Sequence, residues 1–315
     1  MQNRHPLISI VVVTYNSSEF VFETLESAKE QTYQNLELII TDDCSTDNTV
    51  EICKKWLEIN KDRFVRAELL TAEKNTGISP NLNRGLKVAK GEWIKFIAGD
   101  DMLLPKSIDE MIQFITIETD KSIKFLVHGI IPFRNGTDFE VVYPPEELMQ
   151  SDPNKQLIYL LKRGNSIAGC AFFLERSILL KLGGFDENYP LFEDYPLIIK
   201  YTQNNHKIWL IKKTLIKYRI HYCNLSFDHS FLLKDSFSKF KNEILLPLLL
   251  EKGLYQLYWH RLLQGDRKYS IFRSFLLAFS PVGWKDKIYK ILGKSYFYDH
   301  KVEFQKKKRN QALLI

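Results

Sequence analysis

The sequence predicts an α/β fold, a mostly parallel sheet flanked by helices, followed by a helical C-terminal extension. Three observations point there. Apolar, β-branched runs alternate with helix-period segments over the first hundred residues, several of those runs end on acidic residues, and the chemical character of the chain changes after residue 225. Runs that are apolar throughout belong to strands covered on both faces, and strands alternating with helices build parallel sheets.

The elements follow in order. "LISIVVV" (Leu7 to Val13) is the first strand. "SEFVFETLESAKEQ" puts Val21, Leu25 and Ala28 at helical spacing, with Ser18 as its expected N-cap. "LELIITDD" (Leu36 to Asp43) is the second strand, and "NTVEICKKWLEI" a helix with Val50, Cys53, Trp56 and Leu57 on one side. A short strand near "RAELL" (Arg66 to Leu70) precedes a helix through "NLNRGLKVAKG" that Gly91 is expected to stop, and "EWIKFIA" is the fourth strand. Farther on, "IKFLVHGII" and "IWLIKKTLIKYRIHY" are strands, Pro144-Pro145 marks a turn, and "KLGGFDE" is a helix end followed by a tight turn, where Gly183 and Gly184 tolerate positive φ.

In such sheets ligands bind at the carboxyl ends of the strands. Strand one ends in Thr14-Tyr15-Asn16, strand two in Asp42-Asp43 and strand four in Asp100-Asp101. Three strand ends therefore meet on one polar, acidic rim.

Composition narrows the function. With 315 residues, 45% hydrophobic and 26% charged, the chain can bury a large core without staples. Its four cysteines have neither CxxC nor zinc spacing, which points to free thiols in a reducing, cytoplasmic setting. The N-terminal "PLISIVVVTYN" lacks a small-residue cleavage site and reads as a strand, and no apolar run approaches the ~20 residues of a membrane span. The net charge of +6 is uneven: Ser226 to Ile315 holds 17 Lys and Arg against 8 Asp and Glu, leaving 27 against 30 in the remainder. No nucleic-acid-binding motif accompanies this charge.

No GxGxxG follows strand one, and no GxxxxGK is present, so a phosphate must be neutralised by other means. Asp100 and Asp101 suit a divalent cation, Mg²⁺ or Mn²⁺, shared with substrate phosphates. The residues alone leave an acidic turn before "LLPKSIDEM" equally open. Asp42-Asp43 reads either as N-cap chemistry or, since Ser45, Thr46 or Asp47 can cap, as a ligand group. Glu193-Asp194 stands at the start of a predicted helix, where a carboxylate answers the dipole or serves as a general base. His221, after a strand, is structural or a ligand.

The ordered series "VVVTYNSSEFVFETLESAKEQTYQNLELIITDDCSTDNTVEI", "NTGISPNLNRGLKVAKGEWIKFIAGDD", "GGFDE", the "ED" pair and "YRIH…NLS" closely resembles family-two glycosyltransferases of the GT-A (Rossmann-like) fold. The resemblance covers roughly residues 6–226. It implies an inverting enzyme that moves a sugar from a nucleotide-diphosphate donor to an acceptor hydroxyl. On that basis residues 1–225 are the catalytic domain, 1–104 binding the nucleotide sugar and 105–225 the acceptor, with 226–315 as the extension. Carried over, Thr14 and Tyr15 line the base pocket, Asp43 accepts from the base, usually uracil, and Asn75 and Asn83 lie near the nucleotide. Asp101 is assigned to the metal and Asp100 to the ribose or phosphate side, with His221 completing the metal or diphosphate site. Asp194, with Glu193 beside it, is the general base. The sequence departs from the family at Ala98, where the first metal-site acid is usual, at Cys44, where glycine is common, and at Lys200, where arginine often follows the base.

The expected substrates are a UDP-sugar and a glycan or lipid-linked saccharide acceptor. In "WKDKIYKILGKSYF" (284–297), Trp284, Ile288, Ile291 and Leu292 share a helical arc opposite Lys287, Lys290 and Lys294. That pattern suits an anionic membrane surface reached through 270–315, on the inner face of the cell membrane, or docking on the catalytic domain. A sugar-nucleotide nucleotidyltransferase would need a glycine-rich, arginine-bearing loop in place of "TYNSSEF", and a glycan-binding pseudoenzyme would not need Asp100, Asp101 and Asp194 together.

Overall fold

In the computed structural model of the protein, residues 5–118, 122–149, 152–221, 224 and 231–263 are described. Contacts divide the chain into two units, Met1–Phe240 and Lys241–Ile315. The first unit opens with β1 (Ile8–Thr14), α1 (Val21–Lys29), β2 (Leu36–Asp42), α2 (Thr49–Asn60), β3 (Arg66–Thr71), α3 (Ile78–Val88) and β4 (Trp93–Ala98). It continues through β5 (Met102–Leu103), α4 (Ser107–Ile117), β6 (Phe125–Arg134), β7 (Thr137–Asp138), α5 (Glu146–Met149) and α6 (Pro153–Arg163). β8 (Phe172–Glu175), α7 (Arg176–Lys181), α8 (Asp194–Gln203), β9 (Trp209–Arg219) and α9 (Phe231–Phe240) complete it.

The predicted α/β architecture is present. The sheet runs β3-β2-β1-β4-β8-β6-β9-β5, with β7 paired to β6. Its first four strands are parallel, as the strand–helix alternation requires, and β8 enters antiparallel between β4 and β6, making the sheet mixed. β1 and β2 are buried almost throughout, which is why they read as mainly apolar runs, with Ser9 of β1 bonded to Glu37 of β2 between them. One core cluster joins Ile8, Ile10 and Val12 to Leu25 of α1, Cys53 and Trp56 of α2 and Met111 of α4.

Three local expectations change. Ser18 does not cap α1: the helix starts at Val21, the Ser17 carbonyl takes the Phe20 and Val21 N–H groups, and the Ser18 N–H donates to Asp47 Oδ2. β2 stops at Asp42, one residue early, where the chain turns. α3 ends at Val88 rather than Gly91, whose N–H instead meets the buried Glu37 carboxylate on β2. Gly183 and Gly184 do adopt φ of +83° and +76°, ending α7 as predicted.

The second unit, by itself, holds a π-helical turn (Lys241–Leu245), α10 (Leu246–Glu251) and α11 (Tyr255–Leu263). Among the described residues no helix is long and apolar enough to cross a membrane. Residues 264–315, with the helix expected over 284–297 and the membrane surface assigned to 270–315, lie outside the described residues.

Candidate active site

Register places Thr14 opposite Asp42 and Val13 opposite Ala98, so the carboxyl ends of β1, β2 and β4 stand side by side. At this rim Asp42 is a brace. Its Oδ2 accepts from Thr14 Oγ1 at 2.8 Å and its Oδ1 from the Ser45 N–H at 2.8 Å. Thr14 is therefore buried against Asp42, whereas Tyr15 is 47% exposed. Cys44 takes φ of +67°, the left-handed region that favours glycine, which accounts for glycine being common there in the resembling family.

The Asp43 carboxylate, also buried, gathers the next loop. Oδ2 accepts from the Thr76 and Gly77 N–H groups, each at 2.7 Å; Oδ1 accepts from Thr76 Oγ1 at 2.7 Å and Arg84 Nη2 at 3.2 Å. Asn75 Oδ1 takes the Gly77 N–H from the other side at 3.1 Å. Gly77 has φ of +94°, and a Cβ there would lie 2.7 Å from the Pro190 carbonyl oxygen. Asp43 and Asn75 thus share one loop. Asn83 does not join them: its amide donates to the Phe185 carbonyl and Glu187 and accepts from the Phe185 N–H, pinning the "GGFDE" turn to α3.

At the end of β4, Asp101 is 1% exposed. Its Oδ1 accepts the Arg219 N–H at 2.9 Å, and its buried Oδ2 has no hydrogen-bond partner. Burial, then the neighbouring Asp100 charge, push its carboxyl well above the usual carboxylate range. Asp100 Oδ2 lies 2.8 Å from His221 Nε2, and the imidazole packs 4.7 Å from the Phe20 ring. The Arg219 guanidinium sits between Phe20 and Phe133, donating to the Asp100 carbonyl and to Glu23.

Glu193 and Asp194 start α8, as the sequence predicts. Asp194 Oδ2 accepts from Asn165 Nδ2 at 2.6 Å and Oδ1 from the Tyr195 N–H at 2.6 Å. Burial raises Asp194 to about 6 despite these two bonds. Burial, with the Asp194 charge adding to it, raises Glu193 to about 8. The short turn Gly169–Ala171 packs beside them: a Cβ on Gly169 would sit 3.4 Å from Glu193 Oε1 and 3.6 Å from Asp194 Cβ. In the same turn the Cys170 thiol is pushed up by burial and then by the charges of Asp101 and Asp100. The turn therefore packs against the Glu193–Asp194 pair.

The family model described as glycosyl transferase family 2 matches residues 9–182, more than half of the chain. The chain belongs to this family. Among curated family-2 relatives, an uncharacterized glycosyltransferase of Rickettsia typhi is 27% identical over 216 residues, 69% of this chain and 64% of its own length. TuaG of Bacillus subtilis, named for teichuronic acid biosynthesis, is 28% identical over 171 residues, 54% of this chain and 62% of its own. The chain thus spans less than two thirds of either relative. Residues 1–349 of Staphylococcus aureus TarS, in complex with UDP-GlcNAc, share the fold with a TM-score of 0.61 at 19% identity, covering 86% of this chain and 79% of that one. The UDP complex of TarS gives 0.56 at 18% identity over 92% and 93%.

Several residues of this family-2 site were not read from the sequence. Asn165 holds Asp194, Arg84 closes on Asp43, and Arg219 ties the Asp100–Asp101 segment to β9. Arg219 had a signal, standing two residues before His221, and Arg84 lies one turn from Asn81, whose Oδ1 it also meets. Asn165 carried none. Among the described residues no cluster of three His, Cys, Asp or Glu is arranged to hold a metal ion. The buried Asp101 Oδ2, without a hydrogen-bond partner, and the Asp100–His221 pair are the oxygen and nitrogen donors that this strand end presents.

Proposed function

We propose that the chain transfers a sugar from a UDP-sugar to a hydroxyl of a growing cell-surface glycan or lipid-linked saccharide, with inversion. One observation carries this reading: at the N-terminus of α8, Asp194 is held by Asn165 and the Tyr195 N–H against the Gly169–Ala171 turn, the fixed setting a general base requires, in a chain of glycosyl transferase family 2. Family membership, the TarS complexes with UDP and UDP-GlcNAc, and the teichuronic acid name of TuaG support the chemistry and the substrate class.

In this reading Asp194 is the general base. Held by Asn165 and the Tyr195 N–H, and made more basic by burial, it takes the acceptor proton, a role typically worth ~10²–10⁴-fold. The acceptor oxygen then bonds the anomeric carbon from the face opposite the diphosphate, and the bond from that carbon to UDP breaks. Glu193, protonated at neutral pH, keeps a second charge from forming beside the base. Tyr15, Asp43 and the Asn75–Gly77 loop bind the nucleotide, Thr14 braces Asp42 beside them, and Asn83 holds the Gly184–Glu187 turn against α3. Asp101, Asp100 and His221 would hold Mn²⁺ or Mg²⁺, which supplies charge neutralisation to the leaving diphosphate.

The test is a panel of nucleotide sugars incubated with the protein, Mn²⁺ and candidate acceptors. Turnover with one UDP-sugar is expected; no transfer and no donor hydrolysis across the panel would refute the reading.

A further inference from the structure

β4 carries a lysine where the strand pattern asks for an apolar side chain. Trp93, Ile94, Phe96 and Ile97 around it are buried, and Lys95 itself is 0% exposed. Its Nζ donates to the Cys170 carbonyl at 2.6 Å and the Phe172 carbonyl at 3.2 Å, and lies 2.7 Å from Nε2 of His128, which is also 0% exposed. His128 Nδ1 faces the Gly129 carbonyl at 2.9 Å. A carbonyl only accepts, so Nδ1 carries a proton and, in the neutral ring, Nε2 accepts from Lys95. All three ammonium N–H groups then have acceptors.

Such a cation is costly to bury, by several kcal/mol before compensation. Burial lowers Lys95 to about 7, while the Cys170 and Asp101 charges act in the opposite direction. What the lysine provides is a grip on the Gly169–Ala171 turn.

We propose that Lys95 is a positioning residue for the transfer site: its clamp on the Cys170 and Phe172 carbonyls fixes the turn that adjoins Glu193 and Asp194. The inference rests on the glycosyl-transfer reading for its functional half and on the clamp geometry for its structural half. The charged and titratable groups around Nζ are His128, Asp101 and Cys170. Lys95 acts on the base through the turn, so it sets the reaction rate rather than donor affinity.

The test compares the full chain with Lys95→Met and with the double variant Lys95→Met/His128→Leu, which removes both buried polar groups together and so avoids orphaning one. Displacing a catalytic group by ~1 Å costs up to ~10²-fold. Both variants are therefore expected to lose about 10–100-fold in kcat, with donor KM and UDP affinity changed less than about 3-fold. Amide exchange at 169–172 is expected to be faster in both. A folded double variant with wild-type kcat and unchanged exchange would overturn the proposal, as would a fall in thermal stability with kcat and KM both intact. If the wild-type chain transfers no sugar, the transferase reading fails by itself. The clamp is then judged by exchange alone, faster exchange supporting it and unchanged exchange refuting it.

Discussion

Asn165 gives the sharpest test of the proposed base, because its one bond to Asp194 has a calculable effect. The amide donates to Asp194 Oδ2 at 2.6 Å and so favours the ionised carboxylate. A hydrogen bond to a charged group is worth ~1.5–3 kcal/mol, and one pKa unit is ~1.36 kcal/mol, so losing the bond in a dry site would raise Asp194 by about one to two units. Asp194 is only half-buried, and water entering after truncation recovers part of that. Asn165→Ala is therefore expected to raise it by about one unit. A base works in its ionised form, so the acid limb of the kcat–pH profile moves upward, from near the wild-type value of about 6.

Asn165→Asp sharpens the result. Asn165 Oδ1 also accepts the Ile167 N–H, and an aspartate keeps that acceptor while setting a second negative charge against Asp194. Its limb is expected to move further in the same direction. The assay is kcat against pH at saturating donor and acceptor, with thermal melts to confirm folding. An acid limb that stays in place in both variants refutes Asp194 as the ionising base.

Asp194→Ala is expected to abolish transfer while calorimetry still records UDP binding, and retained turnover would remove Asp194 from its role. Chelation by EDTA is expected to stop turnover and added Mn²⁺ to restore it, with Asp100→Ala and His221→Ala weakening the Mn²⁺ dependence; full activity in EDTA would refute the metal assignment. Gly77→Ala, forced into positive φ against Pro190, is expected to cost ~1–3 kcal/mol, read as a lower thermal midpoint together with weaker UDP binding. Asp194 and Glu193 both have folded-state values above their unfolded ones, so the folded state holds their protons longer and their contribution to stability is fully present below about pH 4 and is lost as pH climbs through about 6 and about 8. Asp194→Asn/Glu193→Gln should flatten that decline in pH-dependent melts.

The mainly apolar, β-branched runs were enough to locate β1, β2 and β4, and the strand–helix alternation placed the half-exposed β3 between its helices. Periodicity also located the start of α8, where acidic residues precede an apolar helical run. β8 escaped notice because four residues between a turn and a helix hold no period, and its antiparallel pairing with β4 is set by tertiary packing. Site residues were legible where chemistry crowds into one short segment, as in Asp100-Asp101. They were not legible where one side chain reaches across many residues: Asn165 to Asp194, Arg219 to Asp100 and Lys95 to Cys170 leave no local trace. Ser18 failed as a cap because α1 begins at Val21, three residues on, where the Ser17 carbonyl takes the Phe20 and Val21 N–H groups.

The three acidic pairs follow one physical rule. Neighbouring side chains leaving a strand or entering a helix point in different directions, so two adjacent carboxylates can keep apart and serve different partners. In each pair one member is tied into the framework. Asp42 binds Thr14 and Ser45, and Asp101 accepts the Arg219 N–H, while Glu193 stands at the N-terminus of α8. The second member meets a different segment: Asp43 the Asn75–Gly77 loop, Asp100 His221, and Asp194 Asn165. In the first pair Asp42, with both oxygens bonded, is a brace that sets the angle at which Asp43 leaves the backbone. It follows that Asp42→Asn, whose oxygen still accepts the Ser45 N–H while its amide N–H donates to the Thr14 hydroxyl, should disturb UDP binding far less than Asp42→Ala, although neither change touches Asp43 itself. Equal losses in the two variants would mean that Asp42 matters through its charge rather than as a brace.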